Sequence, residues 1–521
     1  MKQWLFTILV PMMLRVCGSS ARRDRWRSHV VVLVVVAVWS LLWCETSTSH
    51  RFLGVVAAGT PAPAPDALKR QHQPPTTSSY LMQRLAPFGL DLHDFPGTTG
   101  GSRGVRSLVA RSVGARVVDW FDTEVVFAER VLKRRKDLAA AAKHAAEVQG
   151  TPLTDEALLA CYIVCEERDP RDNFFTLYRS TLPASLLSSS IVFSWTNETA
   201  HHNSNSNSNN NTALWSLLPR CYAAAMVATR DYAIRQHACC AAALAAVGEP
   251  RPRLDRYLRA FAAVRSRSFA LGVSLFRGEH DVRRSPFVLQ RTEDNTRKVL
   301  LPFYDLLNHR TGAHTRLERS ETTWRLVSED ACSAGDEVYN SYGDNRSNLE
   351  LLLHYGFCLA GNGHLGIGFD VSDLLDAVAV AHPRVFGTPK VLHSLRSRLV
   401  EEETQRRAQA LQDLALYAVN ITTDDDVATP QPSNRLRATL AIFQQMAVPL
   451  GCSEEEAQKL PADTLDAMLR SRHVELLSCL QHVEQQQQEA SGDTGAAQDK
   501  CRDQVATLLE AERVAIEKVI S

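Results

Sequence analysis

Strand-like and helix-like patterns occupy separate blocks of this chain, and that separation limits the folds open to it. Short β-prone runs marked off by glycine fill residues 101–127, including Arg116-Val117-Val118 and Val125-Val126-Phe127, and read as hairpin-like strands. Similar runs return only at 299–326 and 336–342. The stretch between is helical in pattern. Residues 130–149 are Ala-rich and charged, Thr154-Asp155-Glu156 is a helix start, Leu158, Leu159, Tyr162 and Ile163 share one face, and 214–247 is Ala-rich again. The expected class is α+β, with short β-sheets interrupted by a helical insert at about 130–255. From about residue 365 the pattern is mostly helical, and Val505, Leu508, Leu509, Ile516, Val519 and Ile520 recur at helical spacing. This predicts an all-α C-terminal domain over 363–521, with the glutamines at 485–488 and Ser491-Gly492 as a polar loop. The Ser/Asn tract at 201–211 reads as an exposed loop insertion.

Among 521 residues, Lys+Arg and Asp+Glu are each 58, so the formal charge is zero and no basic excess points to nucleic acid. The 12 cysteines include no C-x-x-C pair, so no metal site is expected, and they read as buried thiols of a reducing compartment. At the N-terminus, Arg22, Arg23, Arg25 and Arg27 precede an apolar run at 30–44, short of the ~20 residues that span a bilayer comfortably. Residues 1–60 therefore read as a targeting or anchor region with possible membrane association through 1–44, and 61–78 as a linker. If the apolar runs are genuine, the location is a membrane or plastid; otherwise it is cytoplasm or nucleus. The chain is expected to be a monomer.

Four segments carry candidate chemistry. Gly101-Ser102-Arg103-Gly104-Val105 holds two close glycines that let backbone approach a ligand, although alone it reads as a plain turn. Arg267-Ser268-Phe269 follows an apolar helix, whose end Arg267 either stabilises or extends toward a ligand. Leu300-Leu301-Pro302-Phe303-Tyr304-Asp305-Leu306-Leu307-Asn308-His309 places three polar side chains, Asp305, Asn308 and His309, after a strand-like run. Residues 334–343, ending in Tyr342-Gly343, and 347–357, ending in Tyr355-Gly356-Phe357, place two Tyr-Gly pairs about a short helix, where the aromatic rings are candidates for core or site.

Taken in order, these segments resemble the SET-domain protein methyltransferases. The subgroup is the one that includes the Rubisco large-subunit lysine methyltransferase and the SET-type actin histidine methyltransferase. The resemblance covers roughly residue 80 to the end. It implies a SET catalytic domain over 79–362 and a helical substrate-binding domain over 363–521. It also implies methyl transfer from S-adenosyl-L-methionine to a protein partner, most simply one presenting a lysine. By this resemblance Ser102, Arg103, Gly104, Arg267, Asn308, His309, Tyr355 and Phe357 hold the cofactor, and Tyr342 is catalytic beside the transferring methyl. Asp305 faces the target side chain or braces the Asn-His turn. Phe269 stands where the histidine-directed branch carries Asn, which implies lysine. Histidine methylation and an inactive binding module are the alternatives.

Overall fold

The computed structural model describes residues 83–95, 102–135, 139, 142–145, 153–168, 217–272, 296–320, 322–409, 417–424, 427–489 and 496–521. The chain divides into two units, Met1–His72 and Gln73–Ser521, and every described residue belongs to the second. The expected anchor, linker and Ser/Asn loop lie outside the described residues. Among those that are described, no helix is long and apolar enough to cross a membrane.

The architecture is α+β. β1 (Leu90–Phe95) and β2 (Ser102–Ser107) form an antiparallel pair, and β2 also pairs with β10 (Glu337–Asn340). β3 (Arg116–Phe121) joins β9 (Thr323–Ser328), which pairs with β8 (Thr315–Arg319). β4 (Val126–Phe127) joins β6 (Thr296–Leu300), which pairs with β5 (Ser268–Gly272). β2, β3 and β4 were expected to pair with one another. Instead each enters a different sheet, because each completes its hydrogen bonds with a partner from the later β-prone block. Val117, Val118, Trp120, Phe127, Val299 and Trp324 fill the core that these sheets share.

The helical insert contributes α1 (Ala128–Arg134), α2 (Asp155–Arg168), α3 (Arg220–Ala246) and α4 (Leu254–Arg267). α5 (Asn348–Tyr355) follows β10. Its start is fixed by a capping box, in which the Glu350 N–H donates to Ser347 Oγ and the Ser347 N–H to Glu350 Oε2. The C-terminal region holds α6 (Val371–Ala381), α7 (Pro383–Phe386), α8 (Pro389–Gln409), α9 (Asn434–Ala447), α10 (Glu454–Glu489) and α11 (Ala496–Ile520).

Three expectations are corrected. The C-terminal region is not all helix: β11 (Leu365–Phe369), β12 (Tyr417–Asp424) and β13 (Val427–Pro432) form an antiparallel sheet within it. The glutamines at 485–488 are helical, ending α10 rather than interrupting it, in keeping with the helix propensity of Gln. Cys161 and Cys240 are joined as a disulfide between α2 and α3, whereas eight described cysteines are free and all but Cys332 are buried.

One hydrophobic cluster runs from the insert into the C-terminal region, taking in Leu158, Tyr222 and Phe261 together with Phe369, Leu436 and Leu509. A polar seam crosses it. The Tyr222 hydroxyl accepts from the Gly368 N–H at 3.1 Å and donates to Glu512 Oε1 at 2.7 Å. Arg472 lies over the rings of Tyr222 and Phe369 and reaches Asp373 Oδ2 and Glu475 Oε2, each at 3.1 Å. Burial pushes the Glu512 carboxyl up to about 7, against the opposing pull of Arg472 and the Tyr222 hydroxyl. Burial and the nearby Glu129 do the same to Asp155, also to about 7. A carboxyl with a raised native pKa binds its proton more tightly when folded, so its contribution is full at low pH and is lost as pH rises toward the native value. Glu512→Gln cannot ionise. The variant is therefore expected to gain stability relative to wild type as pH rises from about 4.5 to about 7, with the gap constant above that window. Thermal unfolding of both proteins across this range checks it, and a constant difference throughout would remove the buried carboxyl from the account.

Candidate functional site

The site is built where β7 (Asn308–His309) lies parallel to β10, with Tyr339 opposite Asn308 and Asn340 opposite His309. Just before it, Phe303 has φ of 72°, the one positive value for a non-glycine among the described residues. A bulky side chain there costs energy, and the surrounding packing holds it: the Phe303 ring is buried and a short turn at Tyr304–Leu306 follows. That turn presents the Leu307 carbonyl to Tyr342, whose hydroxyl donates to it at 2.9 Å. The Tyr342 N–H donates to His309 Nδ1 at 3.0 Å. Tyr342 is thus fixed at backbone and hydroxyl by the two residues flanking Asn308.

Three further rings enclose it. Tyr342 lies 5.2 Å from His309, 4.6 Å from Tyr355 and 6.2 Å from Phe357, centroid to centroid. Tyr355 ends α5, and Gly356 at φ of 81° reverses the chain so that Phe357 returns to the same cluster. Burial raises the Tyr342 pKa, partly offset by the Arg267 cation, so the phenol keeps its proton at neutral pH. Burial also holds His309 below the usual histidine range. With Nδ1 accepting from Tyr342, the neutral ring carries its proton on Nε2.

The polar groups form two linked pairs. Arg267, at the end of α4, donates from Nη1 to the Asp305 carbonyl at 2.9 Å and to Asp305 Oδ2 at 3.1 Å. The Asp305 side chain is fully enclosed, an arrangement that fits bracing the turn better than facing a target. Asn308 Nδ2 donates to Glu337 Oε1 at 2.5 Å. Gly104 of β2 lies against this second pair: a Cβ there would fall 2.1 Å from Glu337 Oε1 and 2.8 Å from Asn308 Nδ2. The glycine thus lets β2 lie close to the Asn308 side chain.

Ser102 and Arg103 precede Gly104 on β2, opposite Phe95 and Asp94, and their side chains lie outside the described residues. Phe269 on β5 stacks on Tyr304 at 4.2 Å, with ring planes 2° apart. Sequence reasoning did not single out three residues that complete the site. Glu337 holds Asn308, and Arg346 donates to the Tyr342 carbonyl at 3.3 Å. Tyr304 carries Phe269, and its hydroxyl donates to Asn340 Oδ1 at 3.1 Å. Glu337 and Tyr304 stand inside segments already marked, but only their cross-strand neighbours give them roles.

Gly104→Ala is expected to break the Asn308–Glu337 pair and to destabilise the protein by about 1–3 kcal/mol, the usual cost of overpacking. Denaturant unfolding measures this, and an unchanged midpoint would mean that β2 yields at no cost.

No family model matches the chain. Among curated proteins, it is 28% identical over 119 residues to the actin-histidine N-methyltransferase of Drosophila melanogaster, 22% of either chain. It is 34% identical over 94 residues to the actin-histidine N-methyltransferase of Mus musculus, 17% of this chain and 16% of that one. It is 36% identical over 67 residues to the ribosomal lysine N-methyltransferase set10 of Schizosaccharomyces pombe, 12% of either chain. The chain thus spans 22% or less of the length of these relatives. Among solved structures, the SET domain of LSMT bound to lysine and AdoHcy aligns over 85% of this chain and 91% of its own, with a TM-score of 0.49 and 15% identity. In local sequence, the chain is similar to SET-type protein methyltransferases, a group with both histidine-directed and lysine-directed members.

Proposed function

We propose that the chain is a protein N-methyltransferase that uses S-adenosyl-L-methionine and acts on a lysine of a protein substrate. The observation that carries this reading is the fixed Tyr342 hydroxyl, 2.9 Å from the Leu307 carbonyl and ringed by His309, Tyr355 and Phe357. When bound, the cofactor supplies an activated methyl group on a positively charged sulfur. The site's chemistry fits such a group: aromatic faces attract a cation, carbonyl oxygens accept weak C–H bonds from a polarised methyl, and Arg267 matches a carboxylate. Gly104, Arg267, Asn308, His309, Tyr355 and Phe357 would hold it, together with the β2 residues Ser102 and Arg103.

The chain's own residues then have defined tasks. A free lysine amine has a pKa of about 10.4 and attacks only when neutral. Burial and a nearby positive charge both favour the neutral amine, so no strong base is needed. Tyr342 commits its proton to Leu307 and keeps its oxygen free to accept from the amine N–H, which orients the lone pair. Asp305 holds Arg267 in place, and Glu337 holds Asn308. Phe269, stacked on Tyr304, gives an apolar wall suited to the methylenes of a lysine. Similarity to actin-histidine enzymes supports a second reading, in which the target is an imidazole.

Tyr342→Phe is expected to lower methyl transfer about a hundredfold or more, as loss of one oriented polar group does at other active sites, while cofactor affinity measured by calorimetry changes little. Equal loss of both would move Tyr342 from chemistry to binding. Incubating a cell extract with the enzyme and isotope-labelled cofactor, then mapping the label by mass spectrometry, separates lysine from histidine. A cofactor that binds without labelling any protein would overturn the enzymatic reading.

A further inference from the structure

Two rings of the aromatic cluster come from stretches of chain that a glycine separates. Tyr342 follows β10, Tyr355 is the last residue of α5, and their ring centroids lie 4.6 Å apart. Between them Gly343 has φ of 129°, a conformation that residues with a side chain rarely adopt. Glycine also has the most backbone freedom to lose, so by itself it holds the spacing of the two rings weakly. A side-chain contact is needed to fix how α5 stands against Tyr342.

Arg346 supplies it with two donors of one guanidinium. Nε donates to the Tyr342 carbonyl at 3.3 Å, and Nη1 donates to Glu350 Oε1 at 2.9 Å. Glu350 Oε2 accepts the Ser347 N–H of the capping box at 3.0 Å, so the carboxylate that receives Arg346 also fixes the start of α5. Behind it, Asn362 Nδ2 donates to the Arg346 carbonyl at 2.9 Å. The side chain crosses Gly343 closely: a Cβ there would lie 3.1 Å from both Cγ and Nε of Arg346. Glycine at 343 therefore serves the crossing as well as the turn. The cation is felt at the far end of the helix too, where burial raises the Tyr355 pKa and Arg346 opposes the rise. The Arg346 and Glu350 side chains are 38% and 36% exposed, and so wet a pair adds little to stability. Its consequence falls on geometry.

We propose that Arg346 is a positioning residue for methyl transfer: by joining the Tyr342 carbonyl to the cap of α5, it sets the spacing of Tyr342 and Tyr355 and with it the place of the Tyr342 hydroxyl. The inference rests on the methyl-transfer reading for the rate it affects, and adds a residue to which that reading gives no task. Only a planar fork can serve the carbonyl and the carboxylate together; a lysine keeps the charge but offers a single point. Misplacing a reacting group by about 1 Å costs up to ~100-fold in rate. A loss of rate without a loss of stability is therefore the mark of this contact.

The test uses the full chain, cell extract and isotope-labelled S-adenosylmethionine at saturation. Arg346→Lys is expected to lower label transfer about tenfold, with melting temperature and calorimetric cofactor affinity unchanged. In a Tyr342→Phe background the same change is expected to cost less than about twofold, because the hydroxyl it places is gone and the two effects do not add. Glu350→Gln keeps the capping acceptor and loses the charge; its expected loss is about threefold, and it stands in if Arg346→Lys does not fold. NMR of ring-13C-labelled tyrosine gives a second readout that needs no transfer. The Tyr342 resonance, identified by its loss in Tyr342→Phe, is expected to shift in both variants. An unchanged rate overturns the proposal, as does an equal factor in both backgrounds, which makes Arg346 act apart from Tyr342. A matching fall in cofactor affinity, or a Tyr342 resonance that neither variant moves, overturns it as well. A wild type that binds the cofactor and labels no protein sinks the methyl-transfer reading alone, because the resonance still decides whether Arg346 places the ring.

Discussion

Two hydrogen bonds from one tyrosine organise the candidate site of this protein. Tyr342 donates its N–H to His309 and its hydroxyl to the Leu307 carbonyl, closing a loop between segments more than thirty residues apart. The parallel pairing of β7 with β10 sets the register that makes both bonds possible. A one-residue slip would turn Asn308 away from Glu337 and His309 away from Tyr342, so the ladder and the site stand or fall together. The left-handed backbone at Phe303 is part of the same arrangement, since it starts the turn that delivers the carbonyl.

The helical insert and the C-terminal region share a core rather than standing as separate modules. Tyr222, Arg472 and Glu512 cross that core, and their mutual satisfaction matters because buried polar groups destabilise when left alone. The Cys161–Cys240 disulfide ties two insert helices within it. One consequence is positional. Part of the C-terminal region is thereby held against the insert.

The sequence marked the members of the ring cluster more readily than the strand pairing. Asn308, His309, Tyr342, Tyr355 and Phe357 stand in short segments of distinctive composition, and four of these residues meet in one ring cluster. Block patterning was enough to assign α+β, because strand and helix periods differ. Partnering was not legible: β2, β3 and β4 read as neighbours, yet each pairs with a distant strand whose register no local pattern encodes. The C-terminal sheet was missed for local reasons. β11 carries glycines at 366 and 368 and β13 contains Pro430 and Pro432, features that argue against strands in a short window, so β12, strand-prone through Tyr417, Val419, Ile421 and two threonines, had no legible neighbour on either side. The roles of Glu337 and Tyr304 were equally hidden, since each depends on a neighbour supplied by another element.

Those two prolines have an effect of their own. β13 is an outer strand of its sheet, and a proline has no amide hydrogen to offer, so two donors are missing from the backbone there. A strand of a second molecule seeking to extend the sheet along that margin would find an incomplete ladder, which discourages self-association through open edges.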